Sequence, residues 1–395
     1  MKQKNKIPKK WKKEILKDIA IVFDGQHTTP KYVDYGIPFY SVENIVSGEP
    51  VKYISKEEYK INTKKNKPLK GDILISRIGT LCKNIIATWE GNYAIYVTLA
   101  LIRSKVRDVS NKFLHQFFQT HMYNKDFFSK SLLIAYPQKI NMEDLEKTSV
   151  LIPPIKEQEK IVEILELWDK AIETTKKLIK QKELQKKYLM QKLLTGKIRL
   201  KGFKDKWEKK IVKDFGIVVT GNTPSKTNIN YYGDVLPWVT AEDFSSKYIL
   251  NTKIKLSELG KQQARVLPKG SVLITCIASI GLNAIAGTEL ATNQQINSII
   301  PNKKYNSDFL YYLFSFNTSY IKAYASPGGL SILPKSVFEK IVFKIPTNIV
   351  EQKAIADILS TADKQIDLLK QKLSNLELQK KGLMQKLLTG QIRVC

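Results

Sequence analysis

The sequence predicts an α+β fold: two mixed α/β domains separated by two long antiparallel coiled-coil helices, with a pseudo-two-fold internal repeat. Three observations support it. The 395 residues exceed what one hydrophobic core usually organises. The chain repeats itself in the order globular, helical, globular, helical, and both helical segments carry apolar residues at heptad spacing. We therefore expect globular domains at residues 1–155 and 201–348, a central spacer helix at 156–200 and a distal spacer helix at 349–395.

The repeat is visible where each globular segment begins. The stretch Trp11-Lys-Lys-Glu-Ile-Leu-Lys-Asp matches Trp207-Glu-Lys-Lys-Ile-Val-Lys-Asp. The similarity then rises sharply, because residues 157–199 align without gaps to residues 351–393. Globular segments that diverge beside nearly duplicated helical segments indicate a shared fold with altered surfaces.

The helical segments have clear boundaries. Pro153 and Pro154 precede the first one, which lacks Pro and Gly until Gly196, the place of a helix C-cap glycine. Steps of four and three residues trace a seam in each segment: Ile161, Leu165, Trp168, Ile172, Thr175, Ile179, Lys182, Lys186, Leu189 and Leu193, and Ile355, Leu359, Ala362, Ile366, Leu369, Leu373, Leu376, Lys380, Leu383 and Leu387. Such a rod of about 57 Å exposes an apolar stripe unless something covers it. We expect the two helices to cover each other; the alternative is that each packs only on its own domain.

The globular segments show both strand and helix patterns. Ile73-Leu-Ile-Ser and Val272-Leu-Ile-Thr are typical of buried strands, and residues 111–124 and 307–323 have the spacing of amphipathic helices. Aromatic residues on these helices favour core packing over base stacking: Phe113, Phe117, Phe118, Phe309, Tyr312 and Phe314. The uncharged stretch 270–288 contains Asn283 and is short for a membrane span, which favours buried strands.

Charge points to a polyanionic partner. The chain has 65 Lys+Arg against 37 Asp+Glu, a net charge of +28, and both globular segments share the excess. Such a field attracts nucleic acid. The 3 cysteines, without a C-x-x-C pair, favour a reducing cytosol, and the Lys-rich N-terminus lacks the apolar core of a signal peptide, so we expect a cytoplasmic protein. No histidine or cysteine spacing predicts a metal site.

Motifs for catalysis are missing from the sequence. There is no G-x-x-x-x-G-K-[ST] loop for a nucleotide and no G-x-G-x-x-G loop for a dinucleotide or methyl donor. The methyltransferase tetrapeptide Asn/Asp-Pro-Pro-Tyr/Phe is also absent. We therefore predict no catalytic residue and no cofactor bound by this chain.

Each long helical segment begins near a Glu-Gln pair, at Glu157 and Glu351, and ends in Leu-Leu-Thr-Gly, then Lys or Gln, then Ile-Arg. The globular segments open with Trp11…Thr29-Pro30 and Trp207…Thr223-Pro224, and the first contains the stretch Gly71–Gly79. This order of motifs resembles the specificity subunit of type I restriction–modification systems, and the openings and the Gly71–Gly79 stretch are similar to the target recognition domains of that family. One departure is that Ser271 and Cys276 replace Asp72 and Arg77, so these positions cannot act identically in both halves.

The resemblance implies a non-catalytic reader of double-stranded DNA. Each target recognition domain would read one half of a bipartite, asymmetric site. The helices would space the domains and dock two methyltransferase subunits, which use S-adenosylmethionine to methylate adenine N6. Restriction subunits, which use ATP and Mg²⁺, can join such a complex.

Base edges are read by arginine, amide and hydroxyl side chains, which polar loops near glycines can present. The DNA-binding candidates are Gln26, His27, Thr29, Lys31, Arg77, Thr80 and Lys83 in the first domain, and Asn222, Thr223, Ser225, Lys226, Ser279, Asn293, Gln294 and Ser331 in the second. For each of them the alternative is a turn or strand-end residue without a base contact. The partner-binding candidates repeat between the helices: Glu157, Gln158, Lys187 and Gln191, and Glu351, Gln352, Lys381 and Gln385. Ordinary solvated charge on a long helix is the alternative for these.

Two other classes of function stay open on the sequence. A standalone sequence-specific DNA-binding regulator would bind DNA tightly without partners and would need no duplicated docking surface. A self-sufficient methyltransferase or nuclease would need a cofactor loop, which the motifs do not provide. Co-purification with methyltransferase subunits separates the first alternative from the favoured function, and methyl transfer by the isolated chain would support the second.

Overall fold

A computed structural model of the chain describes residues 7–47, 51–64, 66–326 and 331–394. The chain divides into two units: unit 1 comprises residues 1–176 and 372–395, and unit 2 comprises residues 177–371. Each unit holds one globular part and a stretch of both long helices. The division therefore crosses the helices, whereas the sequence-based domains keep each helix whole.

Unit 1 is built on three sheets. Its strands are β1 (Lys12–Ile15), β2 (Ala20–Asp24), β3 (Tyr32–Val33), β4 (Ile37–Tyr40), β5 (Lys52–Ile54), β6 (Ile73–Ser76), β7 (Asn84–Ile86), β8 (Ala94–Ile95), β9 (Leu99–Ser104) and β10 (Ser149–Ile152). The strand orders are β2-β9-β6-β7, β3-β5-β4-β8 and β1-β10, and β4 pairs with β8 in parallel. All four residues of β6 are buried, which confirms the predicted buried strand and explains its unbroken apolar run.

The helices of unit 1 are α1 (Leu16–Ile19), α2 (Val42–Val46), α3 (Lys56–Asn62), α4 (Asn111–Phe117), α5 (His121–Ser129), α6 (Met142–Glu146) and α7 (Ile155–Leu193), which continues into unit 2. The single helix predicted over 111–124 is wrong, since α4 and α5 are separate. Thr120 stops the first and begins the second, because its side chain accepts a hydrogen bond from Tyr123 N at 3.2 Å as an N-cap. Phe113, Phe117 and Phe118 are fully buried, so their predicted core role is confirmed.

Unit 2 repeats this topology. Its strands are β11 (Glu208–Ile211), β12 (Gly216–Thr220), β13 (Tyr232–Gly233), β14 (Leu236–Val239), β15 (Tyr248–Ile249), β16 (Lys255–Leu256), β17 (Val266–Leu267), β18 (Val272–Thr275), β19 (Asn283–Ala286), β20 (Leu290–Thr292), β21 (Ile296–Pro301) and β22 (Val342–Ile345). The orders are β12-β21-β18-β19-β15, β13-β16-β14-β20-β17 and β11-β22, and β14 pairs with β20 in parallel. Apart from the added edge strands β15 and β17, these are the sheets of unit 1, which confirms the internal repeat.

The helices of unit 2 are α8 (Val212–Phe215), α9 (Glu258–Gln263), α10 (Ser307–Phe316), α11 (Thr318–Lys322), α12 (Lys335–Phe338) and α13 (Ile349–Leu388), which continues into unit 1; short 3₁₀ turns lie at Ile229–Tyr231 and Ala241–Asp243. The single helix predicted over 307–323 is wrong as well. It breaks at Asn317, whose side chain donates to Leu313 O at 2.8 Å at the end of α10. Phe309, Tyr312 and Phe314 are buried core residues, as predicted.

The long helices begin within one residue of the predicted starts at 156 and 349, but they end at Leu193 and Leu388, before the predicted ends at 200 and 395, because each runs into a turn at a glycine. Helix α7 starts directly after Pro154, and Gly196 and Gly390, which follow α7 and α13, have φ values of 69° and 71°. These left-handed values suit glycine at a helix C-cap. Every predicted seam residue is buried or half-buried, which confirms the heptad seam.

Helices α7 and α13 pair with each other inside each unit. The core of unit 1 contains Ile161 and Leu165 of α7 together with Leu387 of α13. Ion pairs join the helices: Lys380 to Asp169 (2.6 Å) and Lys176 to Glu377 (2.9 Å) in unit 1, and Lys186 to Asp363 and Lys370 to Glu183 (2.9 Å) in unit 2. Rising numbers in α7 meet falling numbers in α13, so the pairing is antiparallel. The alternative that each helix packs only on its own domain is wrong.

Candidate nucleic-acid interface

In unit 1 three loops meet at the ends of strands β2, β6 and β8. We call residues 25–31, 77–83 and 96–98 the unit 1 loop cluster. Backbone hydrogen bonds join the loops: Gln26 N donates to Ile95 O (3.0 Å), Val97 N to Gln26 O (3.0 Å) and Arg77 N to Thr98 O (2.9 Å). The cluster brings together every DNA-binding candidate of the first domain.

Arg77 lies inside this cluster, not on its surface. Arg77 is 7% exposed, and its Nη1 donates to Asp24 Oδ2 at 3.2 Å and to Val97 O at 3.0 Å. Burial lowers the pKa of the guanidinium, and the nearby Asp24 carboxylate opposes that shift. The prediction that Arg77 reaches a base edge does not fit this position, because the side chain is buried and its Nη1 binds Asp24 and Val97 within the cluster, although its buried Nε has no partner among the described residues.

The remaining unit 1 candidates differ in how free their side chains are. His27 Nε2 lies 3.0 Å from Asp24 Oδ2 yet the side chain stays exposed. Gln26 is half-buried and donates to Glu58 Oε1 at 3.0 Å. The other candidates are exposed: Thr29, Lys31, Thr80 and Lys83. A duplex approaching this surface would thus meet hydroxyl, imidazole and ammonium groups.

Unit 2 has the corresponding arrangement. We call residues 221–227, 276–282, 293–295 and 331–333 the unit 2 loop cluster. Asn222 N donates to Thr292 O (2.9 Å), Cys276 N to Gln295 O (2.7 Å) and Ala278 N to Ser331 O (3.1 Å). All eight candidates of the second domain lie in this cluster.

One loop of each cluster has left-handed backbone at the same two positions. In the loop after β6, Gly79 and Cys82 have φ values of 83° and 63°; in the loop after β18, the matching Ala278 and Gly281 have values of 61° and 88°. The left-handed positions are retained although glycine occupies a different one in each loop. The side chains of the two loops differ, so the clusters present different chemical groups from similar loops.

Two asparagines of unit 2 are already engaged. Asn222 donates its Nδ2 to Gln263 O at 2.7 Å and accepts from Arg265 N at 2.9 Å, and the buried Asn293 binds Gln295. Their predicted base contacts therefore do not fit this structure. Exposed candidates are Ser225, Lys226, Ser279 and Gln294, while Thr223, hydrogen-bonded to Gln294, and Ser331 are half-buried.

Arg265 is a candidate that sequence reasoning missed. It lies just before β17, is exposed, and donates its Nη1 to Thr220 O at 2.7 Å beside Asn222. Its guanidinium has the fork geometry that reads guanine. The sequence feature that could have indicated Arg265 is the residue type, because it is an arginine in a basic chain that contains many lysines.

The Glu-Gln pairs at the helix starts are interior groups. Glu157 accepts from Arg393 Nε and Nη2 at 2.6 and 2.8 Å and from Trp11 Nε1 at 3.1 Å. Burial acts to raise the pKa of Glu157, but the hydrogen bonds from Arg393 and Trp11 outweigh it, and the pKa is lowered. Glu351 repeats the arrangement with Arg199, at 2.7 and 2.9 Å, and Trp207.

Gln158 and Gln352 are fully buried in matching places. Gln158 accepts from Ser110 N at 2.9 Å and donates to Asp108 O and Pro153 O at 2.7 and 2.8 Å. Gln352 accepts from Asn306 N at 2.9 Å and donates to Lys304 O and Pro346 O at 3.3 and 3.0 Å. The expectation of an exposed docking face is corrected for both Glu-Gln pairs, since they hold helix starts onto the globular parts.

The rest of the predicted docking face lies further along the helices. Lys187, Gln191 and Lys381 are exposed, and Gln385 is half-buried. Sequence reasoning missed Leu184 and Leu378, which occupy matching positions beside these residues and are 59% and 65% exposed. Their signal was present in the repeated Glu-Leu-Gln-Lys-Lys segment, where each leucine lies off the seam.

Within the part of the chain that the structure describes, no group of three or more His, Cys, Asp or Glu side chains is placed to hold a metal ion. Over the same residues, neither long helix nor any shorter one is apolar enough to cross a bilayer.

Burial raises the pKa of the Cys82 thiol to about 12 and that of the Cys276 thiol to about 11.

Comparisons with known proteins give a consistent result. A family model described as the type I restriction modification DNA specificity domain matches the chain twice, over residues 8–184 and 204–378. The chain is 28% identical to the putative type I restriction enzyme MjaX specificity subunit of Methanocaldococcus jannaschii, over 98% of this chain and 95% of that protein. It is 37% identical to the type I restriction enzyme HindI specificity subunit of Haemophilus influenzae over 147 residues, which are 36% of this chain and only 32% of that protein.

Among solved structures, the S subunit of a type I restriction–modification system from M. genitalium is similar in fold. The TM-score is 0.60 at 15% sequence identity, and the match covers 98% of each chain. The two matches of the family model each span one globular part and most of the helical segment after it, which is the internal repeat seen in the topology.

Proposed function

This chain belongs to the type I restriction–modification DNA specificity family, and on that premise we propose that it is the non-catalytic DNA-reading subunit of a methyltransferase and restriction complex. Each globular part reads one half of a bipartite, asymmetric site. The observation that supports the proposal most directly is the pair of loop clusters, which lie at matching strand ends, share left-handed backbone at two positions and differ in their side chains. Two such clusters on one chain read two unlike half-sites.

Affinity and specificity come from different groups in this proposal. Lysines such as Lys31, Lys83 and Lys226 neutralise phosphates, and each contact adds about 0.9 to the slope of log affinity against log salt. Thr29, Thr80, Ser279 and Gln294 offer hydroxyl and amide groups to base edges. Base contacts set the sequence read, whereas phosphate contacts set only register and strength.

The long helices space the two globular parts and dock two methyltransferase subunits. Support comes from duplication: Leu184 with Lys187 and Gln191 on α7 recurs as Leu378 with Lys381 and Gln385 on α13. Identical surfaces suit identical partners. In this proposal the partners supply S-adenosylmethionine chemistry, with ATP and Mg²⁺ used by restriction subunits, and this chain supplies recognition alone.

The test of the reading role is a half exchange. The chain is co-expressed with methyltransferase subunits of a type I system, and methylated adenines in the host genome are mapped by sequencing. Replacing residues 204–346 with the equivalent part of another family member should change one half of the methylated site and leave the other half and the spacing unchanged. Loss of both halves together, or an unchanged site, would contradict the proposal. Tight site-specific binding by the chain alone, without co-purifying methyltransferase, would instead indicate a standalone regulator.

The docking face is tested by charge substitution. Leu184→Asp and Leu378→Asp should each remove one methyltransferase subunit, and the double variant both, as counted by native mass spectrometry. Leu167→Asp is the matched control, because Leu167 is 64% exposed on α7 but the matching α13 residue is Thr361. Equal loss in the control, or two subunits retained by the double variant, would remove these leucines from the docking face.

A further inference from the structure

A loop between α5 and α6 of unit 1 is closed at its base by backbone hydrogen bonds. Leu132 N donates to Lys139 O at 2.7 Å, and Lys139 N donates to Leu132 O at 3.3 Å. Inside the loop, Gln138 Nε2 donates to Leu133 O at 3.1 Å. We call residues 132–139 the apolar loop. These bonds fix the two ends of the loop beside each other, so the residues between them project from the surface as a closed turn.

The base of the apolar loop is attached to the unit 1 loop cluster. Gly79 N donates to Gln138 O at 2.8 Å, and Ile140 N donates to Arg77 O at 2.9 Å. Ile78 and Lys139 form an antiparallel bridge at the same point. The loop therefore projects from the backbone that carries the exposed candidates Thr80 and Lys83.

The tip of the apolar loop presents large apolar side chains to solvent. Ile134 is 102% and Tyr136 is 104% exposed, and the neighbouring Leu132 and Leu133 are also exposed. Single exposed apolar residues are ordinary, but a contiguous apolar set on a pinned loop is typical of a binding element. Nothing in the mechanism proposed above uses these side chains.

We propose that Ile134 and Tyr136 form a wedge that enters a base step of double-stranded DNA in the half-site read by unit 1. This inference rests on the proposed DNA-reading function. Isoleucine is among the side chains that partially unstack duplex steps, and an aromatic ring can stack on the exposed base face. The net charge of +28 and the lysines of the adjoining cluster favour a polyanion over an apolar protein surface as the occupant.

The wedge adds a form of specificity that base-edge contacts do not provide. Unstacking costs least at flexible pyrimidine–purine steps, so the wedge favours half-sites with such a step at the position it enters. The polar side chains of the unit 1 loop cluster then read the edges of the neighbouring bases. Tyr136 and Ile134 are specificity-determining residues in this scheme, because they act through the shape and stiffness of the duplex.

The experiment uses the full chain assembled with its methyltransferase subunits and a duplex that contains the site found by methylation mapping. 2-Aminopurine replaces each purine of the unit 1 half-site in turn, except the methylated adenine, whose fluorescence would change for other reasons. We expect one step to brighten on binding as its bases unstack. Tyr136→Ala and Ile134→Ser should abolish that signal and weaken specific binding about ten-fold each, with no effect on the unit 2 half-site.

Leu250→Ser is the control for loss of an exposed apolar side chain, since Leu250 follows β15 at the end of its sheet away from the unit 2 loop cluster. It should leave both fluorescence and affinity unchanged. Unchanged affinity and fluorescence in Tyr136→Ala, in a complex that still methylates its site, would overturn the wedge while leaving the DNA-reading function intact. Loss of methyltransferase subunits from Tyr136→Ala would also overturn it, by showing that the loop contacts a protein.

Discussion

Units 1 and 2 have the same strand order but hold their strands together with different chemistry. In unit 1, Arg103 of β9 donates from Nε and Nη2 to Asp72, both at 2.6 Å. At the matching places in unit 2, Ser271 donates to Pro268 O at 2.7 Å and Ile300 replaces the arginine. One copy of the fold uses an ion pair between a half-buried arginine and a buried aspartate, where the other uses a hydroxyl and an aliphatic side chain.

The ends of β2 in unit 1 and β12 in unit 2, next to the loop clusters, differ in the same way. Asp24 and Arg77 form an ion pair in unit 1 at 3.2 Å, whereas Thr220 of unit 2 donates to Asn297 at 2.7 Å and Cys276 replaces the arginine. The fold therefore tolerates either solution. Contacts that are the same in both units, such as those of Gln158 and Gln352, are therefore the ones that the framework requires.

The largest expected effect comes from the shared contacts. Gln158→Leu removes the hydrogen bonds to Ser110 N, Asp108 O and the buried Pro153 O, and Gln352→Leu removes those to Asn306 N, Lys304 O and the buried Pro346 O. Each should lower the free energy of unfolding by about 4 kcal/mol. Denaturant unfolding measures it, and Gln185→Leu on the exposed face of α7 is the control. Clearly unequal losses in the two units would break the claim of a common framework.

A smaller effect separates the units. Asp72→Ser leaves Arg103 without its carboxylate and should destabilise the protein by about 3 kcal/mol. Adding Arg103→Ile reproduces the residues of unit 2 and should recover most of that loss, because the neutral combination needs no counter-charge. A double-mutant cycle by thermal unfolding gives the coupling. If the double variant is as unstable as the sum of the single ones, the two solutions are not interchangeable.

The smallest effect depends on pH. His115 of α4 lies 2.7 Å from Asn84 Oδ1 and faces Lys380 and Asp169; burial and then Lys380 lower its pKa to about 4. Between about pH 6.5 and 4 the unfolded chain binds a proton that the folded chain does not, so stability falls as pH falls, by a loss that grows gradually and reaches about 3 kcal/mol only near pH 4.

The matching residue of unit 2 is Tyr311, whose pKa is raised by burial, so it does not titrate in that range. His115→Tyr should therefore flatten the pH dependence of the melting temperature between pH 6.5 and 4. An unchanged slope in that variant would assign the effect to other groups. A matched measurement at pH 7.5 shows whether the substitution itself perturbs the fold.

Periodicity and repetition made much of the fold predictable. The heptad seam, the buried strands β6 and β18 and the glycines that follow the long helices depend on local pattern, which the sequence displays directly. The breaks at Thr120 and Asn317 were missed because a single capping side chain outweighs an amphipathic pattern. A capping hydrogen bond affects only a few residues around the end of a helix. The amphipathic periodicity is measured over a longer stretch, so it does not reveal such a break.

The candidate site was less predictable, because it depends on contacts between distant residues. Glu157 and Glu351 lie in nearly identical segments of the sequence, which suggested a docking surface for identical partners. Identical residues can equally well maintain identical contacts in the interior of each unit. The partner of Glu157 is Arg393, separated from it by 236 residues. Arg77 was misplaced for the same reason, since its carboxylate partner Asp24 lies on another strand. The sequence indicated polar loops near glycines as the place of the candidates, but it did not indicate which of their side chains turn inward.

The division of the chain into units also sets an order of synthesis. Unit 2 is one continuous stretch, whereas unit 1 combines residues 1–176 with residues 372–395. On the ribosome, unit 2 has all of its residues once position 371 has emerged, while the first globular part to be translated still lacks the C-terminal helix turns that cover its core. The domain translated first is thus the last to mature, and until Arg393 arrives its Glu157 carboxylate lacks its counter-charge.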